Sequence, residues 1–496
     1  LTVFLVFLTI MPLTSRILVF TKHSYRWTFM ICFVEALVIG CFLQDVFREK
    51  NRKTVLAGSI LAIVICGGLL VWMYSFKNIK PDHKVTAGVI GFLAVYLILF
   101  AVGTSVKKMY RIFPAAVLLV LICELFVLDY PSLWHRESPT RNQVATEYYN
   151  DGTKEAVAML KEQDDSVYRI EKSYTSASEN DGMSQGYNGL SVYMSTNPAS
   201  LVAYHKMYGP ETLSGNFVDF NMDDYIRSSL LGTKYLITGT GYHAPQKIYT
   251  SVGEAGGRSV FENQYALPFG YLYDKEWNQE EVKEMSGLDK TLASLSGFYY
   301  TDAEEASSYQ KADLPEQTDL PLLDYADTAT DCTMEKGSEG ITVSNLGADP
   351  NVVFPGVASC FADNDKLYGL SLTVDAPDET EMAVYYQTEG DEGFSAEKVY
   401  TFKVTEDNRT WEHLVPGGIT ELRVDVSSPV ESAVINNFEL KSCDITESGY
   451  TALKESGVDE VTFSDSTYQA QVTNDASENK MLCVPLFYQK GWTAQI

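Results

Sequence analysis

The loop at residues 173–197 contains the side chains of this sequence that are best suited to binding a polar ligand. It shows neither helical nor strand periodicity and is rich in Asn, Asp, Ser, Gly and Tyr. Amides and carboxylates bind sugar hydroxyl groups, and tyrosine rings stack on the faces of sugar rings. We therefore select Asn180, Asp181, Tyr187 and Tyr193 as candidates for contact with a sugar or an acceptor. The same composition is typical of an ordered, turn-rich loop without a ligand, and that interpretation stays open.

A second group of candidates lies beside apolar segments. Arg26 and Trp27 belong to the run HSYRWTF, in which aromatic side chains and a cation meet. They could bind a phosphorylated lipid or anchor the chain at a membrane interface. Glu124 lies inside an apolar run, where an ionisable group is costly unless it faces protein or water. It could act as a site carboxylate, pair with Arg26 or extend its carboxylate to the interface.

Other kinds of chemistry are not indicated by the sequence. There is no Gly-x-Ser-x-Gly, His-Glu-x-x-His or Walker motif, and the histidines show no ligand spacing. There is also no Cys-x-x-Cys pair, so we predict no metal site. The net charge of -27 argues against nucleic acid and anionic lipid as partners of the polar part of the chain.

The first part of the chain contains five apolar runs, at residues 1–13, 27–43, 54–76, 85–106 and 112–128. As a helix the last run would extend about 25 Å, which is enough for most of a bilayer core. Lys107, Lys108 and Arg111 precede it and Asp129 follows it, as expected of a helix that leaves the cytoplasm. We predict a bundle of about five transmembrane helices at residues 1–130, the first of them truncated.

An α/β pattern follows at residues 131–303. Helical spacing at residues 154–162 and 280–295 alternates with strand-like runs, of which YRIEK and KYLIT are the clearest. Residues 304–330 are polar and acidic and contain proline, so we predict a linker there. We expect the α/β domain and everything after it to lie outside the cytoplasm.

Residues 331–444 are predicted to form a β-sandwich of the jelly-roll type. Short alternating runs recur there between Asp, Gly and Pro residues. Domains of this kind often bind carbohydrate, although a fold alone does not establish it. Residues 445–496 are expected to form a further β segment. Cys332 and Cys443 bracket the sandwich, whose first and last strands commonly lie side by side, so we predict a disulfide between them. Unrelated buried thiols are the alternative.

Several segments of the sequence occur in an order that indicates a family. They are SYRWTF, YRIEK with the loop ENDGMSQGYNGLSVYMSTN, LLGTKYLIT, VFENQYALPFGY and VPLFYQKGWTAQI. Together they resemble the YfhO-type bacterial membrane proteins, from the span before Arg26 to the end of the chain. The resemblance implies a multi-spanning glycosyltransferase of the GT-C class in the bacterial cell membrane. It also implies a polyprenyl-phosphate-linked sugar as the donor, no further cofactor, and envelope polymers such as teichoic acids as acceptors.

The mechanism implied by the resemblance is glycosyl transfer at the outer membrane face. An acidic side chain would deprotonate an acceptor hydroxyl, the lipid phosphate would leave, and Arg26 could neutralise the developing charge. The family's catalytic carboxylate belongs to an early outer loop, and we expect this chain to begin after it, so no catalytic residue is assigned. The rival hypothesis is a membrane-anchored extracytoplasmic glycan-binding protein without activity. It would need the same anchor, acidic exterior and sandwich.

Overall fold

The computed structural model divides the chain into two compact units, Leu1–Ser138 and Pro139–Ile496. Besides isolated positions between residues 33 and 68, it describes residues 83–106, 111–134, 138–178, 180–194, 196–208, 217–218, 224–239, 241–242, 244–299, 309–376, 379–406, 408–426, 431–464, 467–473, 479–487 and 490–495.

The first unit contains two apolar helices, α1 (His83–Ser105) and α2 (Phe113–Trp134). Within the described residues, one segment is long and apolar enough to cross a membrane, Thr86–Gly103 in α1, and a shorter apolar stretch occupies Phe113–Val127 in α2. The helices meet where the Phe113 ring packs edge-on against the Phe100 ring, with centroids 5.2 Å apart. The first three predicted spans lie outside the described residues, apart from isolated helical positions, so the five-helix bundle stays a prediction.

The second unit begins with an α/β region of short helices and strands. Its helices are α3 (Arg141–Thr146), α4 (Thr153–Gln163), α5 (Asp181–Gln185), α6 (Ala199–Tyr208), α7 (Tyr225–Leu230), α8 (Gln279–Glu284) and α9 (Gly287–Ser296). Its strands are β1 (Arg169–Lys172), β2 (Val192–Tyr193), β3 (Phe217–Val218), β4 (Thr233–Thr238), β5 (Tyr249–Ala255), β6 (Arg258–Asn263), β7 (Tyr271–Tyr273), β8 (Lys275–Glu276) and β9 (Gln310–Lys311).

The centre of this region is a four-stranded sheet in the order β1-β4-β6-β5, in which β1 and β4 are parallel. Helix α4 covers one face by burying Ala156 and Leu160 against Ile170 and neighbouring strands. Helix α7 lies on the other face, where Ser228 donates a hydrogen bond to Glu171 at 3.0 Å. Because side chains alternate along a strand, Arg169 and Glu171 face α7, and Ile170 and Lys172 face α4.

A β-sandwich of two antiparallel sheets follows the α/β region, as predicted. One sheet has the order β12-β13-β20-β15-β18, with β10 also paired to β20, and the other has the order β11-β14-β19-β16-β17. The strands are β10 (Thr318–Pro321), β11 (Thr328–Thr330), β12 (Thr333–Gly337), β13 (Gly340–Ser344), β14 (Asn351–Phe354), β15 (Lys366–Asp375), β16 (Thr380–Thr388), β17 (Val399–Val404), β18 (Thr410–Val415), β19 (Ile419–Val426) and β20 (Ser432–Asp444). Strand β10 lies inside the predicted linker but pairs with the sandwich.

The interior of the sandwich is a continuous apolar cluster. The Phe354 and Phe438 rings, one from each sheet, meet edge-on at a centroid distance of 5.0 Å, and both are fully buried. Inward positions along the strands are mostly Val, Leu, Ile, Phe and Tyr, while outward positions are mostly polar. This alternation is the pattern that the sequence contains, and it accounts for the fold of this region.

The end of the chain returns to the α/β region. Its elements are α10 (Tyr450–Glu455), β21 (Asp459–Ser464), β22 (Thr467–Gln471) and β23 (Met481–Cys483). Strand β23 pairs with β7, and the Tyr450 ring packs on Tyr265 at 5.5 Å. The last segment therefore completes the α/β region instead of extending the sandwich.

The predicted disulfide between Cys332 and Cys443 is wrong, because both residues are free thiols. Thr333, next to Cys332, pairs with Ser344, which pairs in turn with Ser432 at the start of β20. Cys443 lies near the far end of β20, about 36 Å away at ~3.3 Å per residue. A disulfide requires Cα atoms within about 7 Å of each other. Strand β13 also separates β12 from β20, so the strands that we expected to be neighbours are not.

Candidate functional site

A cleft of about 400 Å³ lies beside β1, the edge strand of the α/β sheet. Its polar lining comes from Arg169, Asn180, Asn188 and Ser191, and its aromatic lining comes from Tyr187, Phe269 and Phe463. Most of these residues belong to the loop after β1, which the sequence singled out. No Asp or Glu is among the residues described as lining the cleft.

Asp181 organises the loop from behind the cleft. Its carboxylate accepts hydrogen bonds from the backbone N–H groups of Ser176, Ala177 and Ser178, at 2.6, 3.1 and 3.1 Å. It also pairs with the Lys172 ammonium at 2.7 Å, and both side chains are 4% exposed. Burial alone would raise the pKa of Asp181, but the bonds from Lys172 and the backbone outweigh it and hold the pKa below its usual value. The carboxylate that we selected for substrate contact is thus occupied within the fold.

A second carboxylate extends this buried network. Asp151 accepts hydrogen bonds from Ser176 Oγ at 2.7 Å and Gln185 Nε2 at 3.1 Å, and it pairs with Arg258 at 3.2 Å. The Arg258 guanidinium lies over the Tyr174 ring, 4.0 Å from its centroid. Although burial opposes it, hydrogen bonding lowers the pKa of Asp151. These contacts fasten the loop to the turn before α4 and to β6, so two ion pairs, one buried and one partly buried, set its conformation.

Of the other sequence candidates, the structure places Asn180 and Tyr187 in the cleft wall. The Asn180 amide exchanges two hydrogen bonds with the Tyr193 backbone, at 2.9 and 3.0 Å, and so closes the loop on itself. The Tyr193 side chain is about half exposed next to it. Glu124 belongs to the first unit, where its carboxylate accepts a hydrogen bond from Tyr96 at 2.7 Å. Arg26 and Trp27 lie outside the described residues.

The candidates selected from the sequence did not include five residues of the cleft lining, Arg169, Asn188, Ser191, Phe269 and Phe463. Arg169 joins three segments of the chain, because its Nη1 donates to the carbonyl oxygens of Leu231 and, at 2.7 Å, Pro485. Its guanidinium carbon lies 5.1 Å from the centre of the Phe269 ring. The signal that could have identified Arg169 is its place in the alternating strand YRIEK, since that register assigns it to a buried face.

Gly232 allows these segments to approach one another. It has a φ of +81°, and a Cβ at this position would lie 2.6 Å from the Phe269 ring. Glycine is favoured at positive φ and is needed where a side chain approaches the backbone this closely. The turn in the segment LLGTKYLIT thus brings the end of α7 against the floor of the cleft.

A second cavity, of about 290 Å³, lies beside β7 and has a largely apolar lining that includes Tyr271, Trp277 and Phe487. The indole of Trp277 donates to Ala293 O at 2.9 Å, and Tyr271 donates to Leu230 O at 2.8 Å. The polar groups of these two side chains are therefore engaged by the backbone. In the described part of the chain, no group of His, Cys, Asp and Glu side chains is arranged to hold a metal ion.

The sequence matches a known family over its whole length. The family described as bacterial membrane protein YfhO matches residues 1–496. The chain belongs to the YfhO family. A curated relative, the uncharacterized protein YfhO of Bacillus subtilis (strain 168), is 21% identical over 507 residues, which cover 96% of this chain and 54% of the relative. The chain thus spans about half the length of that YfhO relative, and the resemblance inferred from the sequence segments is confirmed.

Solved structures resemble a quarter of this YfhO-family chain. The C-terminal CBM6 of LamC, a marine laminarinase from Zobellia galactanivorans, is 14% identical and covers 26% of this chain and 100% of its own, with a TM-score of 0.18. The xylan-binding module CBM86 from Roseburia intestinalis is 8% identical and covers 27% and 99%, with a TM-score of 0.21. At these scores the likeness carries no inference about function.

Proposed function

We propose that the chain is part of an integral membrane glycosyltransferase of the GT-C class. The enzyme would transfer a sugar from a polyprenyl-phosphate carrier to a cell-envelope polymer such as a teichoic acid. Membership in a family of bacterial membrane proteins and the apolar helix α1 support attachment to a bilayer. In this proposal the second unit lies outside the cytoplasm. The cations Lys107, Lys108 and Arg111 before α2 and the acidic Asp129 near its end support that orientation.

The cleft beside β1 is the observation that carries the proposal. A sugar presents hydroxyl groups around its edge and apolar C–H groups on its faces. Asn188 and Ser191 supply donors and acceptors for the edge, and Tyr187 and Phe463 supply aromatic surface for a face. The volume of about 400 Å³ lies within the range of small-ligand sites, about 300–1,000 Å³. We assign the cleft to the glycan that takes part in transfer.

The catalytic base is not assigned to a described residue. Glu124 bonds to Tyr96, an arrangement suited to joining two helices inside a membrane. The base is expected in the part of the longer relatives that this chain does not cover. Arg26 and Trp27 remain proposed contacts for the phosphate of the lipid donor, because a cation and an aromatic ring at a membrane boundary suit that group.

The second candidate function is a membrane-anchored glycan-binding protein without activity. It is favoured by the lack of any carboxylate among the described residues of the cleft lining, since glycosyl transfer needs a base near the acceptor hydroxyl. The two functions share the cleft and differ in whether bound glycan is converted to product.

The test is transfer of labelled sugar from polyprenyl phosphate to envelope polymer by the purified full-length protein. Asn188→Ala removes a polar group of the cleft, and Tyr187→Leu removes aromatic surface. A matched control is Asn436→Ala on the sandwich, because Asn436 and Asn188 each donate to one backbone carbonyl at 3.3 Å. Asp181 is unsuitable, because its replacement would disorder the loop.

We expect the two cleft variants to lose at least about tenfold in transfer, equivalent to ~1.4 kcal/mol, and Asn436→Ala to keep it. Equal rates in all three would remove the cleft from the reaction. Glycan binding without any transfer by the wild-type protein would establish the second candidate instead.

A further inference from the structure

Arg169 is a buried cation without a counter-ion in the described part of the chain. It is 9% exposed, and no described carboxylate pairs with it. The neighbouring cations of the loop region are paired, the buried Lys172 side chain with Asp181 at 2.7 Å and the partly exposed Arg258 with Asp151 at 3.2 Å. An unpaired buried charge is costly. Burial lowers the pKa of Arg169 to about 10, so the guanidinium still carries its charge at neutral pH.

The guanidinium is held in place but is not saturated. Nη1 donates to the carbonyl oxygens of Leu231 and Pro485, and the Phe269 ring packs against the guanidinium face at 5.1 Å. A guanidinium has five N–H donors. Among the described residues none accepts from Nε or Nη2 of Arg169. The side chain lines the cleft, so a ligand there can reach a cation whose position the protein has already fixed.

The charge of the cleft is opposite to that of the rest of the chain. The protein has 65 Asp and Glu residues against 38 Lys and Arg. The described lining of the cleft nevertheless contains one cation, Arg169, and no carboxylate. A neutral glycan would leave this charge unneutralised. A phosphate or carboxylate would neutralise it through the forked geometry that guanidinium groups use for both anions.

We propose that Arg169 is an anion subsite of the cleft and that the glycan bound there carries a phosphate or carboxylate group. The inference rests on the proposed function, because it assumes that the cleft binds glycan. It specifies further that the bound glycan is anionic and that Arg169 is the residue that recognises its charge.

The test uses glucose, glucose 6-phosphate and glucuronate as probes, titrated by calorimetry into the purified full-length protein. We expect at least one anionic probe to bind at least about tenfold more tightly than glucose. The two anionic arms identify whether phosphate or carboxylate is the preferred group. Added salt should weaken binding of the anionic probes and leave binding of glucose unchanged.

Arg169→Gln should abolish the preference for the anionic probes. The control is Arg423→Gln, because Arg423 also stacks on an aromatic ring at 5.1 Å but is paired with Asp425 and lies on the sandwich. The control should bind all three probes as the wild type does. Since Arg169 also ties two carbonyl groups, its replacement can affect folding, and a second pair of variants avoids that problem.

Met183 lines the cleft and is 85% exposed, so its replacement leaves the fold intact. Met183→Glu should lower the affinity of the anionic probes relative to that of glucose on the order of two- to fivefold, and Met183→Lys should raise it similarly. Equal affinity of the three probes, with no effect of the Met183 variants, would overturn the anion subsite and leave the proposed function standing. Failure of all three probes to bind would overturn both.

Discussion

The β-sandwich encloses an apolar interior, whereas the α/β region buries charged side chains beneath the loop at residues 173–197. In the sandwich, Phe354 and Phe438 meet at the centre, and the pair Lys403–Glu379 lies exposed on the surface. In the α/β region, Lys172 and Asp181 are each 4% exposed. One buried pair does occur in the sandwich, Lys398–Asp391, where it braces the hairpin between β16 and β17.

This difference indicates that the sandwich serves mainly as a stable scaffold and that the α/β region serves recognition. The hydrophobic effect is non-directional and scales with the apolar area removed from water, so apolar burial suits a scaffold. Buried ion pairs are weak contributors to stability but fix one geometry when every group is satisfied. The loop at residues 173–197 has few large apolar side chains, so its conformation depends on such ion pairs. Binding groups are therefore expected in the α/β region, where polar atoms are positioned precisely.

The largest effect on stability is expected in the sandwich, from Phe438→Ala. Removing a fully buried ring should lower the free energy of unfolding by about 3–5 kcal/mol. Denaturant unfolding followed by tryptophan fluorescence measures it. Leu320→Ala on β10, where the side chain is 38% exposed, should cost less than about 1 kcal/mol. Equal losses would show that the apolar interior does not dominate the stability of the sandwich.

On the α/β side, Lys172→Met should cost a similar amount, about 3–5 kcal/mol, because it leaves the Asp181 carboxylate buried without its cation. Unfolding is again the measurement, together with glycan binding, which should disappear as the loop loses its order. The matched control is Lys403→Met, which removes one partner of an exposed pair and should cost at most about 1 kcal/mol. A change at Lys172 as small as the control would contradict the structural role of the network.

Gly232→Ala tests the close approach of the turn after α7 to the Phe269 ring of the cleft. The added Cβ would meet both an unfavourable φ of +81° and the Phe269 ring, so we expect a loss of at least about 2 kcal/mol. Gly241 has a similar φ of +89° with open space around it, and Gly241→Ala should cost about 1–2 kcal/mol from backbone strain alone. Thermal unfolding of the two variants measures the difference. Identical losses would mean that contact with Phe269 contributes nothing.

The remaining prediction concerns the pH dependence of stability in the sandwich. Burial lowers the pKa of His413 to about 4, and its ring packs 4.9 Å from Tyr400. The unfolded chain, with a pKa near ~6.5, binds a proton that the folded protein does not, so stability falls as pH drops from about 6.5 towards 4. The slope from this group is at most about 1.4 kcal/mol per pH unit. His413→Gln should flatten the profile in that window, and an unchanged slope would exclude His413 as its source.

The elements that periodicity determines were predictable from the sequence. The alternating run at residues 367–374 is β15, and the helical run at 154–162 is α4, each within two residues of the expected ends. The helix predicted at 280–295 is instead two helices, because Ser286 accepts a hydrogen bond from the Asp289 N–H and starts α9. A polar residue inside a helical pattern is ambiguous, since it can be an exposed position or a cap.

The sequence identified the loop that forms the candidate site but not the role of each of its residues. Composition identified the segment that contains Asn180 and Tyr187 but gave Asp181 the same role, although its carboxylate faces the interior. Nothing local distinguishes a ligand-binding aspartate from one that binds three backbone N–H groups of its own loop. Arg169 was not identified from the sequence, because its partners, Leu231 and Pro485, are distant in sequence. They contact it only after β1, α7 and the C-terminal segment have packed together.

The central claim is that glycan binds in the α/β cleft and not on the sandwich. Hydrogen–deuterium exchange of the full-length protein, with and without saturating glucose 6-phosphate, tests it most directly, because bound ligand slows exchange of the amides that it orders. We expect protection at residues 180–192 and 484–487, with the strands of the sandwich unchanged. Protection confined to the sandwich strands, with exchange in the loop unaltered, would contradict it.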